Sequence, residues 1–230
     1  HQADAHDIDV TWHTCDQEGC DKKFKQAGNL NRHMSSRHSA VYAARKKIQE
    51  ERVRKALLGA GLGEWFQSDT MPPVGYFKRE KRIDFECAGV HSATRYAKID
   101  FVVATPTGYV LLEVDENQHR FGYDNDVSCD MRRMSQVFES VTMEFECTNV
   151  PRLYWLRYNP NAWRIDGELQ KVPKSTREAG LVRWLQGIEI ARPLSIGYAY
   201  YNTTGGALDV LSNPHFNQHY AALAHAVVFE

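Results

Sequence analysis

Two cysteines and two histidines near the start of the chain have the spacing of a metal site. Four residues separate Cys15 from Cys20, twelve more precede His33, and four separate His33 from His38. Two thiolates and two imidazoles can complete the tetrahedral shell of a Zn²⁺ ion. Such a shell replaces the hydrophobic core that so short a segment cannot build. The sequence therefore predicts a structural zinc site.

This segment resembles a C2H2 zinc finger, with Phe24 and Leu30 at the two core positions of such a finger. If His33 is position 7 of the finger helix, positions −1, 3 and 6 face successive bases of the major groove. These positions hold Gln26, Asn29 and Arg32. Asn and Gln suit adenine and Arg suits guanine, which favours double-stranded DNA with a weak preference for 5′-GAA-3′. The alternative is a finger that binds protein or RNA, or that only braces its neighbour.

A strongly basic stretch continues from the finger. Between Lys22 and Lys55 eleven Lys and Arg residues are opposed only by Glu50 and Glu51, although the whole chain has a net charge of −1. A basic arm on an otherwise acidic chain is typical of proteins that contact phosphates. The alternative is a solvated helix face. The phosphate contacts that we expect here are Lys22, Lys23, Lys25, Arg45, Lys46 and Lys47.

Three carboxylates form a second group with chemical potential. Asp100 lies in an apolar run, and Glu113 and Asp115 end the next one after a Pro-Gly turn. Alternate residues of a strand share a face, so Glu113 and Asp115 are expected on one side, with Asp100 beside Glu113 if the strands pair. Carboxylates that converge repel one another, and Mg²⁺ or Mn²⁺ resolves the repulsion. Such a site can hydrolyse phosphodiester bonds.

The Asp-x12-Glu-x-Asp arrangement resembles the PD-(D/E)XK nuclease superfamily, which has the restriction-endonuclease-like fold. The run EVDENQH at 113–119, Tyr123, and the segments 128–133 and 155–160 resemble predicted nucleases of algae, protists and giant viruses. The resemblance covers about residues 95–165. It implies an α/β (α+β) fold, in which a mixed-sheet core is flanked by helices. It also implies that Asp100, Glu113 and Asp115 hold the Mg²⁺.

The sequence departs from that superfamily at one position, because Asp115 stands where the superfamily has a lysine. The acceptor of the water proton must then be another group, and His119 is our candidate because imidazole titrates near neutral pH. The alternative is that the metal alone deprotonates the water. Gln118 is expected to orient the water or a phosphate oxygen. Arg132 and Arg133 are expected to contact the phosphate, with a pairing to Asp130 as the alternative for one of them.

The elements that position these residues are predicted from periodicity and from breaker residues. We expect helices over 40–58, 127–145, 175–190 and 215–228, strands over 76–87, 96–104, 109–114, 152–158 and 195–202, and a hairpin turn at 203–206. The predicted domains are a ββα zinc finger at 1–39, a basic linker helix at 40–70 and a nuclease-like domain at 71–230. No run approaches a membrane span. Five cysteines, of which two are assigned to zinc, favour an intracellular location, in the nucleus or another DNA-containing compartment.

The hypothesis from the sequence is a metal-dependent DNA endonuclease that its finger and basic helix direct to duplex DNA. One active site cuts one strand, so a double-strand cut requires a homodimer or two successive events. Two alternatives stay open. One is a catalytically inactive nuclease fold that serves as a DNA-binding module, and the other is a nuclease that acts on RNA or on branched structures.

Overall fold

The structure is a computed structural model that describes residues 11–17, 20, 22–67, 70–85, 96–115, 128–145, 149–165, 168–200, 211 and 222–229. The chain divides between Gln49 and Glu50 into two compact units. Across the described ranges, none of the helices combines the length and the apolar character that a membrane crossing requires.

The first unit has the ββα order that the sequence predicts. Strands β1 (His13–Thr14) and β2 (Lys23–Phe24) pair antiparallel, and helix α1 (Ala27–His33) follows. A π-helical segment, Met34–His38, continues from α1. Residues five apart in a regular α-helix lie about 140° from one another around the axis. The wider π-helical turn, with its i→i+5 hydrogen bonds, places His33 and His38 on one side.

The second unit is built around a seven-stranded sheet. Helix α2 (Ala40–Gly59) leads into it from the first unit. The elements that follow are β3 (Gly63–Glu64), β4 (Tyr76–Asp84), β5 (Tyr96–Thr105), β6 (Gly108–Val114), α3 (Ser128–Glu144), β7 (Leu153–Tyr158), β8 (Trp163–Ile165), β9 (Glu168–Gln170), α4 (Lys174–Gly187), β10 (Leu194–Ala199) and β11 (Ala224–Ala226). The strand order is β11-β10-β7-β6-β5-β4-β3, and β8 and β9 form a separate pair.

The sheet is mixed, which confirms the predicted α/β (α+β) class. Strands β4, β5 and β6 are antiparallel neighbours, whereas β6, β7, β10 and β11 run parallel to one another. Helix α3 connects β6 to β7, and α4 lies between β7 and β10 in the chain. The parallel strands β6, β7 and β10 end in register, since Tyr158 is paired with both Val114 and Ala199. Side chains at these three carboxyl ends therefore meet at one edge of the sheet.

The predicted helix over 215–228 is wrong where the structure describes this segment. Residues 224–226 form β11, which pairs parallel to β10, and Ile196 donates its backbone N–H to Leu223 O at 2.8 Å. A short apolar run does not distinguish a strand from a helix by periodicity. Residues 224–226 form a strand because the edge of β10 offers unpaired backbone groups to them. The predicted hairpin turn at 203–206 lies outside the described residues.

Helices cover both faces of the sheet. On one face Met131, Met134, Val137 and Val141 of α3 pack on side chains such as Trp155. On the other face α2 contributes Val53 and Leu57, and α4 contributes Leu181 and Leu185. The C-terminal half of α2 therefore belongs to this core, whereas the sequence predicts a basic linker helix over 40–70.

Strands β4 and β5 share an irregularity near their middle. Ile99 and Val102 pack in the cluster under α3, whereas Phe101 packs in the opposite cluster. Regular alternation would put residues three apart on opposite faces of the sheet. The alternation of β5 is therefore interrupted between Ile99 and Val102. Across the pair, Glu80 has a φ of +48°, which is rare outside glycine. The two strands change face together at the position of Asp100.

Candidate functional site

The four ligand atoms of the Cys/His cluster converge as the sequence predicts. The ligand atoms of Cys15, Cys20, His33 and His38 all lie within 4.8 Å of one another. Cys15 Sγ is 3.4 Å from His38 Nε2, Cys20 Sγ is 3.3 Å from His33 Nε2, and the two Nε2 atoms are 3.0 Å apart. Tetrahedral coordination at ordinary bond lengths places S and N about 3.5 Å apart and two N atoms about 3.3 Å apart. The cluster can hold a metal ion.

The finger presents its predicted base-reading residues to solvent. Gln26 is the N-cap of α1, as expected for position −1, and it is exposed together with Asn29 and Arg32. Among the predicted phosphate contacts, Lys22, Lys23 and Lys47 are exposed, while Lys25 lies 5.9 Å from the centre of the Trp12 ring. The side chains of Arg45 and Lys46 lie outside the described residues.

Asp100 and Glu113 lie next to each other on β5 and β6. Phe101 pairs with Leu112 as the last pair of the β5–β6 register, and Asp100 and Glu113 are the next residues of the two strands. Asp100 Oδ2 accepts the backbone N–H of Val114 at 2.8 Å. The two residues therefore lie at the end of the β5–β6 register, which the hairpin at 105–108 sets.

Glu113 is a buried carboxyl group with an arginine against it. Its exposed fraction is 6 %, and Arg133 Nη2 of α3 donates to Glu113 Oε1 at 2.8 Å. Burial raises the pKa of Glu113 to about 8, with further increases from Asp100 and Asp115 that Arg133 and Arg157 oppose. Burial thus disfavours the charged form of Glu113.

Asp115 belongs to a buried ion-pair network. Its two carboxylate oxygens accept hydrogen bonds from Arg157 Nε at 2.5 Å and Arg157 Nη2 at 3.1 Å, and the Tyr200 hydroxyl donates to Oδ2 at 2.6 Å. The same guanidinium pairs with Asp130 in the first turn of α3. Burial lowers the pKa of Arg157, but Asp115, Tyr200 and Asp130 raise it by more, so it lies well above its ordinary value. Asp115 is held in place by its neighbours.

The structure brings only part of the predicted site together. Within the described part of the chain, the zinc-finger cluster is the one group of three or more His, Cys, Asp or Glu side chains whose ligand atoms lie within 4.8 Å of each other. Asp100, Glu113 and Asp115 are adjacent but do not close into such a group. Gln118 and His119 lie outside the described residues. Arg132 is exposed, and Asp130 pairs with Arg157 instead of Arg132 or Arg133.

Arg157 and Tyr200 are site residues that the sequence reasoning missed. Arg157 was visible as a charge inside the apolar strand LYWLRY, and a charge in such a run requires a buried partner. Tyr200 follows β10 and had no signal of its own, because the Tyr-rich segment 198–201 is equally consistent with core packing. Only the pairing of β10 with β7 places its hydroxyl at Asp115.

No protein-family model matches this chain, and comparison with curated proteins and with solved structures found no similar protein.

Proposed function

We propose that the protein is a metal-dependent nuclease that hydrolyses phosphodiester bonds of duplex DNA, with a zinc finger as a DNA-binding unit. The observation that carries the proposal is the position of Asp100 beside Glu113 on neighbouring strands, with Asp115 two residues further at the same sheet edge. This arrangement agrees with the resemblance to PD-(D/E)XK nucleases. The carboxyl edge of parallel strands is also where α/β sheets bind ligands.

The charges around this edge favour a cation. Among the described residues, four carboxylates stand there, on Asp100, Glu113, Asp115 and Asp130. Two guanidiniums oppose them, because Arg157 pairs with Asp115 and Asp130, and Arg133 pairs with Glu113. Burial is the main cause of the raised pKa of Glu113, and the charges of Asp100 and Asp115 add to it. Oxygen donors with this excess suit Mg²⁺ or Mn²⁺.

Asp100 and Glu113 are the residues that we expect to hold the cation. When bound, a divalent cation polarises a phosphoryl oxygen and acidifies a water molecule. Asp115 contributes negative charge to the same place, while Arg157 and Tyr200 restrict the direction of its oxygens. Asp130 and Arg157 fix the start of α3 against β7 and thereby position Arg133 relative to Glu113.

The metal of the finger is proposed to be Zn²⁺. Two thiolates with two imidazoles in tetrahedral separation form a donor set that selects zinc over hard cations. The exposed Gln26, Asn29 and Arg32 then stand at the base-facing positions of α1. Lys22 and Lys23 supply positive charge for the DNA backbone.

A second candidate function is a DNA-binding module without catalysis. The observation that favours it is the position of Asp115, which replaces the lysine of the superfamily and is bound by Arg157 and Tyr200. A carboxylate held in this way does not act as a mobile proton acceptor. This candidate predicts salt-sensitive DNA binding without metal-dependent turnover.

Plasmid cleavage separates the two candidates. Zinc-loaded protein is incubated with supercoiled DNA and Mg²⁺, Mn²⁺ or EDTA, beside the variant Glu113→Gln and the matched control Glu139→Gln, whose side chain is exposed on α3. We expect metal-dependent nicking that falls more than about 100-fold in Glu113→Gln, because even outer-shell partners of a metal cost up to that factor. DNA affinity should stay unchanged in both variants.

The substrate range completes this test. Duplex, junction, single-stranded and RNA substrates are compared with the same variants. Glu113-dependent cleavage of junctions or RNA alone would assign the nuclease to those substrates instead of duplex DNA. Metal-independent cleavage, or cleavage that Glu113→Gln retains, contradicts the proposed site. Binding without cleavage of any substrate supports the DNA-binding module.

A further inference from the structure

Arg133 places one positively charged nitrogen among the oxygens of the candidate site. Its Nη2 atom is 2.8 Å from Glu113 Oε1 and 2.5 Å from the backbone oxygen of Lys98. A carboxylate and a backbone carbonyl are also oxygen ligands that divalent cations use. The guanidinium therefore contacts the same two oxygens that a divalent cation at Glu113 would coordinate.

The two arginines of the site differ in how firmly they are held. The Arg157 side chain is 3 % exposed and is fixed by two carboxylates. The Arg133 side chain is 36 % exposed, and it contacts the Glu113 side chain, which is 7 % exposed. Water solvates the Arg133 guanidinium when it leaves, but Glu113 is buried and then needs another positive charge in its place. Arg133 can therefore exchange with a cation at Glu113, whereas Arg157 is held by two carboxylates.

We propose that Arg133 is the internal counter-ion of Glu113 and that a divalent cation displaces it on binding. This inference rests on the proposed function, because it takes Glu113 as a cation ligand. A guanidinium and a divalent cation repel each other strongly at a few ångströms in a partly buried site. The guanidinium and the cation therefore cannot contact the same oxygen of Glu113 at the same time. Arg133 thus sets the cation concentration at which the site fills.

Cation binding without DNA tests this inference apart from catalysis. Mn²⁺ is titrated into zinc-loaded protein and followed by electron paramagnetic resonance, for the wild type, Arg133→Met, Glu113→Gln and the control Arg132→Met. Arg132 is the exposed neighbour of Arg133 on α3. Its replacement by Met changes the net charge by the same amount. We expect Arg133→Met to bind Mn²⁺ about tenfold more tightly than Arg132→Met, which is the factor for losing one competing charged hydrogen bond.

Measurements at a second pH distinguish competition by a proton at Glu113 from competition by Arg133. Arg133 lowers the pKa of Glu113, so its removal also favours the protonated carboxyl group. The titrations are therefore repeated about two pH units above neutrality, where a proton competes less with the cation. If Arg133→Met does not fold, which circular dichroism detects, Arg133→Gln serves in its place and is expected to tighten binding in the same direction.

The outcomes distinguish the counter-ion role of Arg133 from the cation site at Glu113. Tighter binding in Arg133→Met that Glu113→Gln abolishes in the same background supports the counter-ion role. At the higher pH, Mn²⁺ binding that depends on Glu113 but is equal or weaker in Arg133→Met than in Arg132→Met overturns the inference and leaves the proposed nuclease intact. Absence of Glu113-dependent binding in every protein refutes the cation site itself.

Discussion

Replacing Arg157 by Met is expected to destabilise the second unit strongly. Arg157 is 2 % exposed, and its guanidinium contacts Asp115 through two N–H groups and also pairs with Asp130. The variant leaves both carboxylates without this partner, and Asp115 has an exposed fraction of 2 %. Removing one member of a buried ion pair costs about 3–5 kcal/mol, because the remaining charge is uncompensated. For a unit of this size that cost lowers Tm by about 6–20 °C.

Urea unfolding followed by tryptophan fluorescence measures this cost, with Zn²⁺ present so that the state of the finger is constant. Arg183→Met, at an exposed position of α4, is the matched control and should lie within about 0.5 kcal/mol of the wild type. The deficit of Arg157→Met should shrink at acidic pH, since protonation removes the uncompensated charge. The double variant with Asp115→Asn should recover part of the loss at neutral pH.

A small effect of Arg157→Met would refute the role of this guanidinium in the network. If Arg157→Met costs less than about 1 kcal/mol, a value near that of an ordinary surface change, Asp115 and Asp130 do not depend on this guanidinium. If the added Asp115→Asn gives no recovery, the loss comes from packing around Arg157 instead of charge.

Three further outcomes can be checked. Cys20→Ala should abolish binding of one Zn²⁺ per chain, measured by metal analysis, because three ligands no longer close the shell. Gly108→Ala should destabilise the fold by about 1–3 kcal/mol in urea unfolding, because its Cβ would lie 2.2 Å from Arg152 O and residue 108 has a φ of +154°. Partial desolvation beside Tyr154 and the charge of Arg192 lower the pKa of His225, so the unfolded chain takes up a proton first and stability should fall as pH decreases below about 6.5. His225→Gln should lose this part of the pH dependence, which urea midpoints at several pH values measure.

Much of the fold could be predicted because its elements have strong local signals. The helix that ends at Gly59 and the strands on both sides of the turn at 105–108 follow from apolar periodicity and breaker residues. Residues 224–226 were assigned to a helix and form a strand, because the choice depends on the unpaired edge of β10. That edge belongs to a segment some 30 residues earlier, so no local pattern contains the answer.

The spacing of Cys15, Cys20, His33 and His38 determined the metal cluster of the finger by itself. Its ligands lie within one short ββα segment, and local geometry is enough to bring them together. The adjacency of Asp100 and Glu113 likewise followed from one hairpin. The tertiary structure alone decided the charge state and the partners of that site. Arg133, Arg157 and Tyr200 come from three separate elements, and only the packing of α3 and the parallel pairing of β6, β7 and β10 place their polar groups against the carboxylates.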